Sequence, residues 1–360
     1  MCWRITRPGP SVNVFPRPRD THVDRYDHAW RLRIAMMLLA VGLAVAVGCK
    51  TKSSPLGAVP PTGASAPLAT DPWAGPLASP DDPPSFDQNH QQAEAACPQV
   101  SRPAFFRIEK AGKTSYILGS RHISIGLAKQ PAMVEQKLRT ASTVVFEVAP
   151  GDDAQPTFDS ESVPDMLGPE LWQRYRTLVG PARADGVAQR GPAVAALTMM
   201  LLYEDTSQTL DIEIQSLAGK LNKPTAGLET AAFQNEVIAR LLDRRALRAS
   251  VAGTQDRAEM KAHAEKDIRE YCTGVDKPPG FDVEDRADMR AAGYTELEIA
   301  ALEDRLVFSR NRAWILKLET LFANDAVFVV VGADHLRGDK GVLELLSKQG
   351  YKVSRVEATR

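Results

Sequence analysis

Apolar positions fall into two distinct rhythms along this chain. Phe105-Phe106-Arg107-Ile108 and Ser115-Tyr116-Ile117-Leu118 are short strand-like runs. Lys110-Ala111-Gly112-Lys113 between them is a turn signal, so the pattern predicts a β-hairpin. From Pro131 to Ala141 the period lengthens to that of a helix, with Val134 and Leu138 on one face. Thr143 to Val148 predicts the next strand. From about Pro164 to Phe322 the periodicity is mostly helical, over Leu171–Leu178, Ala193–Tyr203, Asp211–Leu221, Ala231–Tyr271 with a break near Gly253, and Thr295–Phe322. One β-type run, Thr225 to Thr230, interrupts these helices, and Pro278-Pro279-Gly280 marks a loop. Ala326 to Val331 is a continuous β-branched apolar run, as expected of a strand covered on both faces. A helix over Gly341–Gln349 and a strand over Tyr351–Val356 close the chain. The expected fold is α/β (α+β): a mixed sheet built from the N- and C-terminal segments, with a large helical insertion at about residues 160–323.

The N-terminal third follows neither rhythm. Arg31 and Arg33 precede the apolar run Ile34 to Val47, which ends in Gly48-Cys49. A run of about 14 residues is short for a spanning helix, which needs roughly 20. It fits the core of a signal peptide over residues 1–48. Ala46-Val47-Gly48-Cys49 resembles a bacterial lipobox, so Cys49 is expected to carry a lipid and the protein to be exported and anchored to a bacterial membrane. Lys50 after that cysteine favours an outer-membrane destination. Residues 49–96, rich in Pro, Ala and Ser, read as a tether without a core of its own. The folded domain is expected over residues 97–360.

Composition adds little beyond this frame. The chain has 360 residues, 44% of them apolar and 25% charged, as in an ordinary globular protein. A net charge of -1 gives no reason to expect a nucleic-acid partner. Past a membrane the compartment oxidises thiols, so Cys97 and Cys272 can pair in a disulfide or remain two separate thiols.

Chemistry gathers at the predicted strand ends. Gly119-x-x-His122 follows one strand and Gly332-x-x-His335 another, and glycine would permit a sharp exit from each. Of the six histidines, His22, His28 and His90 fall outside the expected domain. Glu147 stands inside Val-Val-Phe-Glu-Val, where a carboxylate is costly unless it is paired or bound to a metal. Two imidazoles and a carboxylate suit Zn, Mn, Co or Fe. Glu229 reads either as a site carboxylate or as a charge at a helix N-terminus. Arg310 and Asn311 read either as substrate contacts or as a structural pair. His263 and Asp267, one helical turn apart, read as a solvated face, and Asp152-Asp153 as a polar loop.

The ordered set Tyr-Ile-Leu-Gly-Ser-Arg-His122, Val-Val-Phe-Glu147-Val, Gly-Leu-Glu229-Thr, Arg310-Asn311 and Val-Val-Gly-Ala-Asp-His335-Leu resembles the TraB/GumN family over about Phe105 to Val356. That family is similar to the TIKI metalloproteases and, more distantly, to erythromycin-esterase-like and ChaN-like proteins. The resemblance implies an active centre of His122, Glu147 and His335, with a divalent metal such as Mn, Co or Zn. It implies a metal-dependent hydrolase of the cell envelope acting on a peptide or small molecule. Its alternatives are a haem- or metal-binding lipoprotein and a catalytically inactive envelope scaffold. Ser120 and Arg121 depart from the family's usual pattern, and Arg121 would bring a cation beside the site if it turned inward.

Overall fold

The computed structural model describes residues 82–357, apart from 153, 155–160 and 325. The signal segment, Cys49 and the tether up to residue 81 lie outside the described residues. Among those described, no helix is long and apolar enough to cross a membrane.

Helix α1 (Phe86–Ala96) leads into β1 (Phe105–Lys110), β2 (Lys113–Ser120), α2 (Ala132–Thr140) and β3 (Thr143–Val148). The helical region then runs through α3 (Val163–Val179), α4 (Pro181–Val187), α5 (Gly191–Met200) and α6 (Leu210–Lys220) to β4 (Thr225–Glu229). It continues with α7 (Ala231–Leu241), α8 (Arg244–Gly253), α9 (Arg257–Thr273), α10 (Val283–Ala291), α11 (Glu296–Glu303) and α12 (Ser309–Asn324). The C-terminal segment supplies β5 (Val327–Gly332), α13 (Val342–Lys348) and β6 (Lys352–Arg355).

The strands form one mixed sheet in the order β4-β3-β5-β2-β1-β6. β4, β3, β5 and β2 are parallel neighbours, whereas β1 runs antiparallel to both β2 and β6. The hairpin turns on Ala111 (φ 51) and Gly112 (φ 78), a pair of positive φ values matched to the strands' twist. β5 explains its own composition. Val327, Val329 and Val331 pack on one face against Trp314, Ile315, Leu318 and Leu346. Phe328 and Val330 pack on the other against Val134, Leu138, Leu210 and Ile214. A strand buried on both sides has no polar face to show.

The β-type run expected over Thr225–Thr230 is β4, which the insertion adds to the sheet beside β3. Two expectations need correction. The helix expected over Ala231–Tyr271 has its expected break just after Gly253, where Asp256 caps α9, and an unexpected earlier one after Leu241, where Asp243 caps α8. The tether ends earlier than residue 96: α1 is folded, starts at a Ser85–Gln88 capping box and docks on the domain. Its Asn89 Nδ2 donates to the carbonyls of Leu202 (3.0 Å) and Glu204 (3.1 Å), and His90 meets Asp205 at 2.9 Å. His90 therefore belongs to the folded domain. The helix escaped notice because small alanines and polar side chains carry its docking, leaving no apolar period.

Cys97 and Cys272 are joined, with Cα atoms 5.6 Å apart, in a small cluster with Ala93, Val100, Ile125 and Ile268. The bridge ties α1 to α9 and closes a 175-residue separation. Opening it with reductant, or by Cys272→Ser, is expected to remove about 2–4 kcal/mol of stability. Urea unfolding with and without reductant measures this, and an unchanged midpoint would refute it.

Candidate functional site

The parallel strands all end on one edge of the sheet. From β2 the chain passes to α2 on one face, and from the neighbouring β5 to α13 on the other. Connections diverging from adjacent parallel strands open a crevice at their carboxyl ends. The register Ser120↔Gly332 sets the two Gly-x-x-His segments side by side at that switch point. Neither glycine is there for backbone freedom: both lie outside the positive-φ residues. They are there for space. A Cβ on Gly119 would stand 2.9 Å from the Cα of Ala333, and one on Gly332 would stand 3.1 Å from His122 Nε2 and 3.3 Å from Glu147 Oε1.

Glu147 is the centre of the cluster. It is 3% exposed. Its Oε1 accepts from the Gly332 N–H at 2.7 Å and faces both imidazoles, at 4.0 Å from His122 Nε2 and 3.9 Å from His335 Nε2. Its Oε2 accepts from Arg310 Nη2 at 2.7 Å and from Gln234 Nε2 at 2.9 Å. Glu229, at the end of β4, receives a guanidinium fork from Arg310 Nη2 (2.6 Å) and Nε (2.9 Å), and accepts from Trp314 Nε1 at 3.2 Å. The cluster thus unites His122, Glu147, His335, Glu229, Arg310 and Asn311.

The hydrogen bonds assign the histidine protons. Asn311 Nδ2 donates to the carbonyls of His335 and Lys340, so its Oδ1 is an acceptor and His335 Nδ1 donates to it at 2.7 Å. His335 Nε2 then keeps a lone pair, which accepts from Arg310 Nη1 at 3.1 Å. Burial, with Arg310 and His122 adding positive charge, holds the His335 pKa well below 6.5. His122 goes the other way. Burial alone would lower it, but Asp211, bonded to Nδ1 at 3.1 Å, and Glu147 push it from 6.5 up to about 9. Burial raises the Glu229 pKa despite the fork from Arg310.

This donor set is not drawn in to the spacing of a tetrahedral zinc site as arranged. Ligands sharing a zinc ion at about 2.1 Å stand roughly 3.4 Å apart in a tetrahedron, shorter than the 4.0 and 3.9 Å separations here. The His335 lone pair already accepts from Arg310. Among the described residues, no group of three or more His, Cys, Asp or Glu side chains is set to hold a metal.

Other readings resolve locally. Arg121 does not enter the cluster: its guanidinium forks onto buried Glu204, at 2.9 Å on both oxygens, and donates to the Ile123 carbonyl. Asp334 pairs with Arg337 at 3.0 Å, and Asp267 with Lys277 at 3.2 Å rather than forming a site with His263. Asp152 accepts from the Ala231 N–H at the start of α7, and Asp153 lies outside the described residues. Sequence reasoning missed Asp211, Gln234 and Glu204. Asp211 is buried (3% exposed) in the first turn of α6, a placement that nothing in its local sequence distinguishes from an ordinary acidic first-turn residue.

The opposite shifts of the two histidines give a signed pH dependence. His122 contributes on the order of 3 kcal/mol, in full below pH 6.5 and lost as pH rises toward 9. His335, with a lowered pKa, contributes above pH 6.5 and loses that contribution as pH falls. Urea unfolding should therefore show decreasing stability between pH 6.5 and 9, and Asp211→Asn should abolish that slope. A wild-type His122 ring signal titrating at or below 6.5 by NMR would contradict the assignment.

Residues 104–355 match the sequence model of the TraB/PrgY/gumN family. No curated protein and no solved structure matches the chain. The family match covers most of the folded region, including both Gly-x-x-His segments, Glu147, Glu229 and the Arg310-Asn311 pair. The chain belongs to the TraB/PrgY/gumN family.

Proposed function

We propose that this protein is a hydrolase of the cell envelope, acting on a peptide or small-molecule carbonyl compound by acid–base chemistry at the strand-end cluster. One observation carries the reading: the Glu147 carboxylate stands 4.0 Å from the Nε2 of His122, whose Nδ1 is bonded to Asp211 at 3.1 Å. Asp211 and Glu147 raise the His122 pKa, so a proton-bearing imidazole and a carboxylate base stand together in one site.

Glu147 Oε1 stands 4.0 and 3.9 Å from the two Nε2 atoms, separations that one hydrogen-bonded oxygen can bridge. Glu147 takes a proton from a water there as its oxygen adds to the substrate carbonyl carbon. His122, protonated below about pH 9, gives its Nε2 proton to the leaving nitrogen or oxygen as the bond to carbon breaks. The proton on Glu147 then returns to His122. Asp211 stabilises the imidazolium throughout, as an acidic partner does for a catalytic histidine. A cavity of about 280 Å³ lies at the same strand ends, bordered by Ser120, Tyr271, Gly332 and Ala333 and by none of the six cluster side chains, so substrate entry requires this lining to open.

The Cys97–Cys272 bridge supports an oxidising compartment, in line with export and a lipid on Cys49. Burial favours one rival reading, a catalytically silent envelope scaffold: His335 is 0% and His122 1% exposed. Peptide and ester panels with the full chain separate the two. Glu147→Gln should cut turnover about 10²–10⁴-fold with the fold retained by circular dichroism. Undiminished turnover in that variant would eliminate the mechanism, and a wild type inert across both panels would leave the scaffold. Separately, Cys49→Ser should move the protein from the membrane to the soluble fraction and abolish fatty-acid labelling. Continued labelling would rule out Cys49 as the lipidated residue.

A further inference from the structure

The guanidinium of Arg310 holds the cluster together. The residue is 1% exposed and opens α12 directly after a π-helical turn at Asp304–Phe308, an irregularity often found at functional sites. Nε and Nη2 fork onto Glu229, Nη2 also reaches Glu147 Oε2, and Nη1 donates to His335 Nε2 and to the Leu306 carbonyl at 2.9 Å. The Trp314 ring centroid lies 4.9 Å from its Cζ, closing one side with an aromatic face. On this side of the cluster, the atoms best suited to a metal are Glu147 Oε2, both Glu229 oxygens and His335 Nε2. All of them already accept from this one side chain. A guanidinium does not release its proton in a protein, so the charge is permanent.

We infer that Arg310 is a resident cation standing in for the divalent metal that the TIKI resemblance implies. The wild-type site therefore takes up no divalent ion, and removing the guanidinium uncovers a cation site formed by Glu147, Glu229 and His335. The balance of charge supports this. Without Arg310, two carboxylates and an imidazole lone pair converge in a space closed to water, the donor chemistry that borderline divalent ions prefer. A carboxylate pair buried without a cation is strongly unfavourable, so an ion entering that space gains both ligands and neutralisation.

The test uses the purified full chain in detergent, chelated and then exposed to MnCl₂, CoCl₂ or ZnCl₂. Elemental analysis after desalting and thermal unfolding are the readouts. Wild type is expected to retain no stoichiometric metal and to keep its midpoint. Arg310→Ala is expected to have a lower midpoint in chelator, to recover roughly 5 °C or more at saturating ion, and to retain about one ion per chain. Adding Glu147→Gln should abolish that uptake. Arg310→Lys, which keeps the charge, should stay metal-free and so separates loss of charge from general damage. Wild-type protein carrying an ion that His335→Ala releases would overturn the inference. So would an Arg310→Ala protein that gains neither metal nor stability. Neither readout depends on turnover, so the hydrolase reading can fail while this inference stands, and the reverse.

Discussion

Glu147 and Glu229 end neighbouring parallel strands, and both are almost sealed from water; the guanidinium of Arg310 makes that arrangement tenable. Burying two carboxylates side by side carries a heavy desolvation cost, which an unpaired cluster could not sustain. Arg310 meets both through its planar fork, a geometry lysine cannot reproduce. Breaking a buried pair from one side typically costs about 3–5 kcal/mol, because it strands the other charge. This salt bridge is therefore less a source of net stability than a condition on how the chain ends may be arranged. If α12 does not bring Arg310 to the sheet edge, β3 and β4 cannot both present acids there.

That condition explains what the sequence made legible. The apolar run of β5, the hairpin and the two Gly-x-x-His segments carry their own signals, since each depends on local pattern and turn chemistry. Glu147 was legible for a different reason: a charge in the middle of an apolar strand demands a partner. The partner's identity was only half legible. Arg310 and Asn311 stood out through family resemblance, but nothing in a long helical stretch indicates which of its many charged residues turns inward. Asp211 and Gln234 were harder still. They sit on α6 and α7 among ordinary polar residues, and their importance comes entirely from tertiary placement against His122 and Glu147. Both glycines answer to crowding rather than turn geometry: Gly332 leaves room for an imidazole and a carboxylate, and Gly119 for Ala333 and Leu336.

The two histidines show how a nearly symmetric sequence feature becomes an asymmetric pair. Both occupy equivalent positions after parallel strands, and both are fully enclosed. Asp211 accepts from the Nδ1 of one, whereas the amide oxygen of Asn311 accepts from the Nδ1 of the other. One partner is charged and the other neutral, and Arg310 sits beside the second. Together with Glu147 at His122 and burial at His335, those differences move the two ring pKa values in opposite directions. The sheet contributes proximity, and the helices contribute the difference.

This division of labour bears on why the helical insertion belongs to the fold rather than decorating it. The strands and their exits supply His122, Glu147 and His335, while the insertion supplies Asp211, Glu229, Gln234, Arg310 and Asn311. Asp211 and Gln234 approach from separate helices, and Glu229 arrives on a strand that the insertion adds to the edge of the sheet. No terminal segment can satisfy its own buried acid, and the insertion cannot satisfy Glu229 without α12. The site is therefore complete only when the sheet, α6, α7 and α12 are assembled together. Local opening of any one of them exposes unpaired charge in the other parts. Polar groups that can be satisfied only jointly make assembly cooperative, so in this chain the same contacts that define the candidate chemistry also couple its two ends and its middle into a single folding unit.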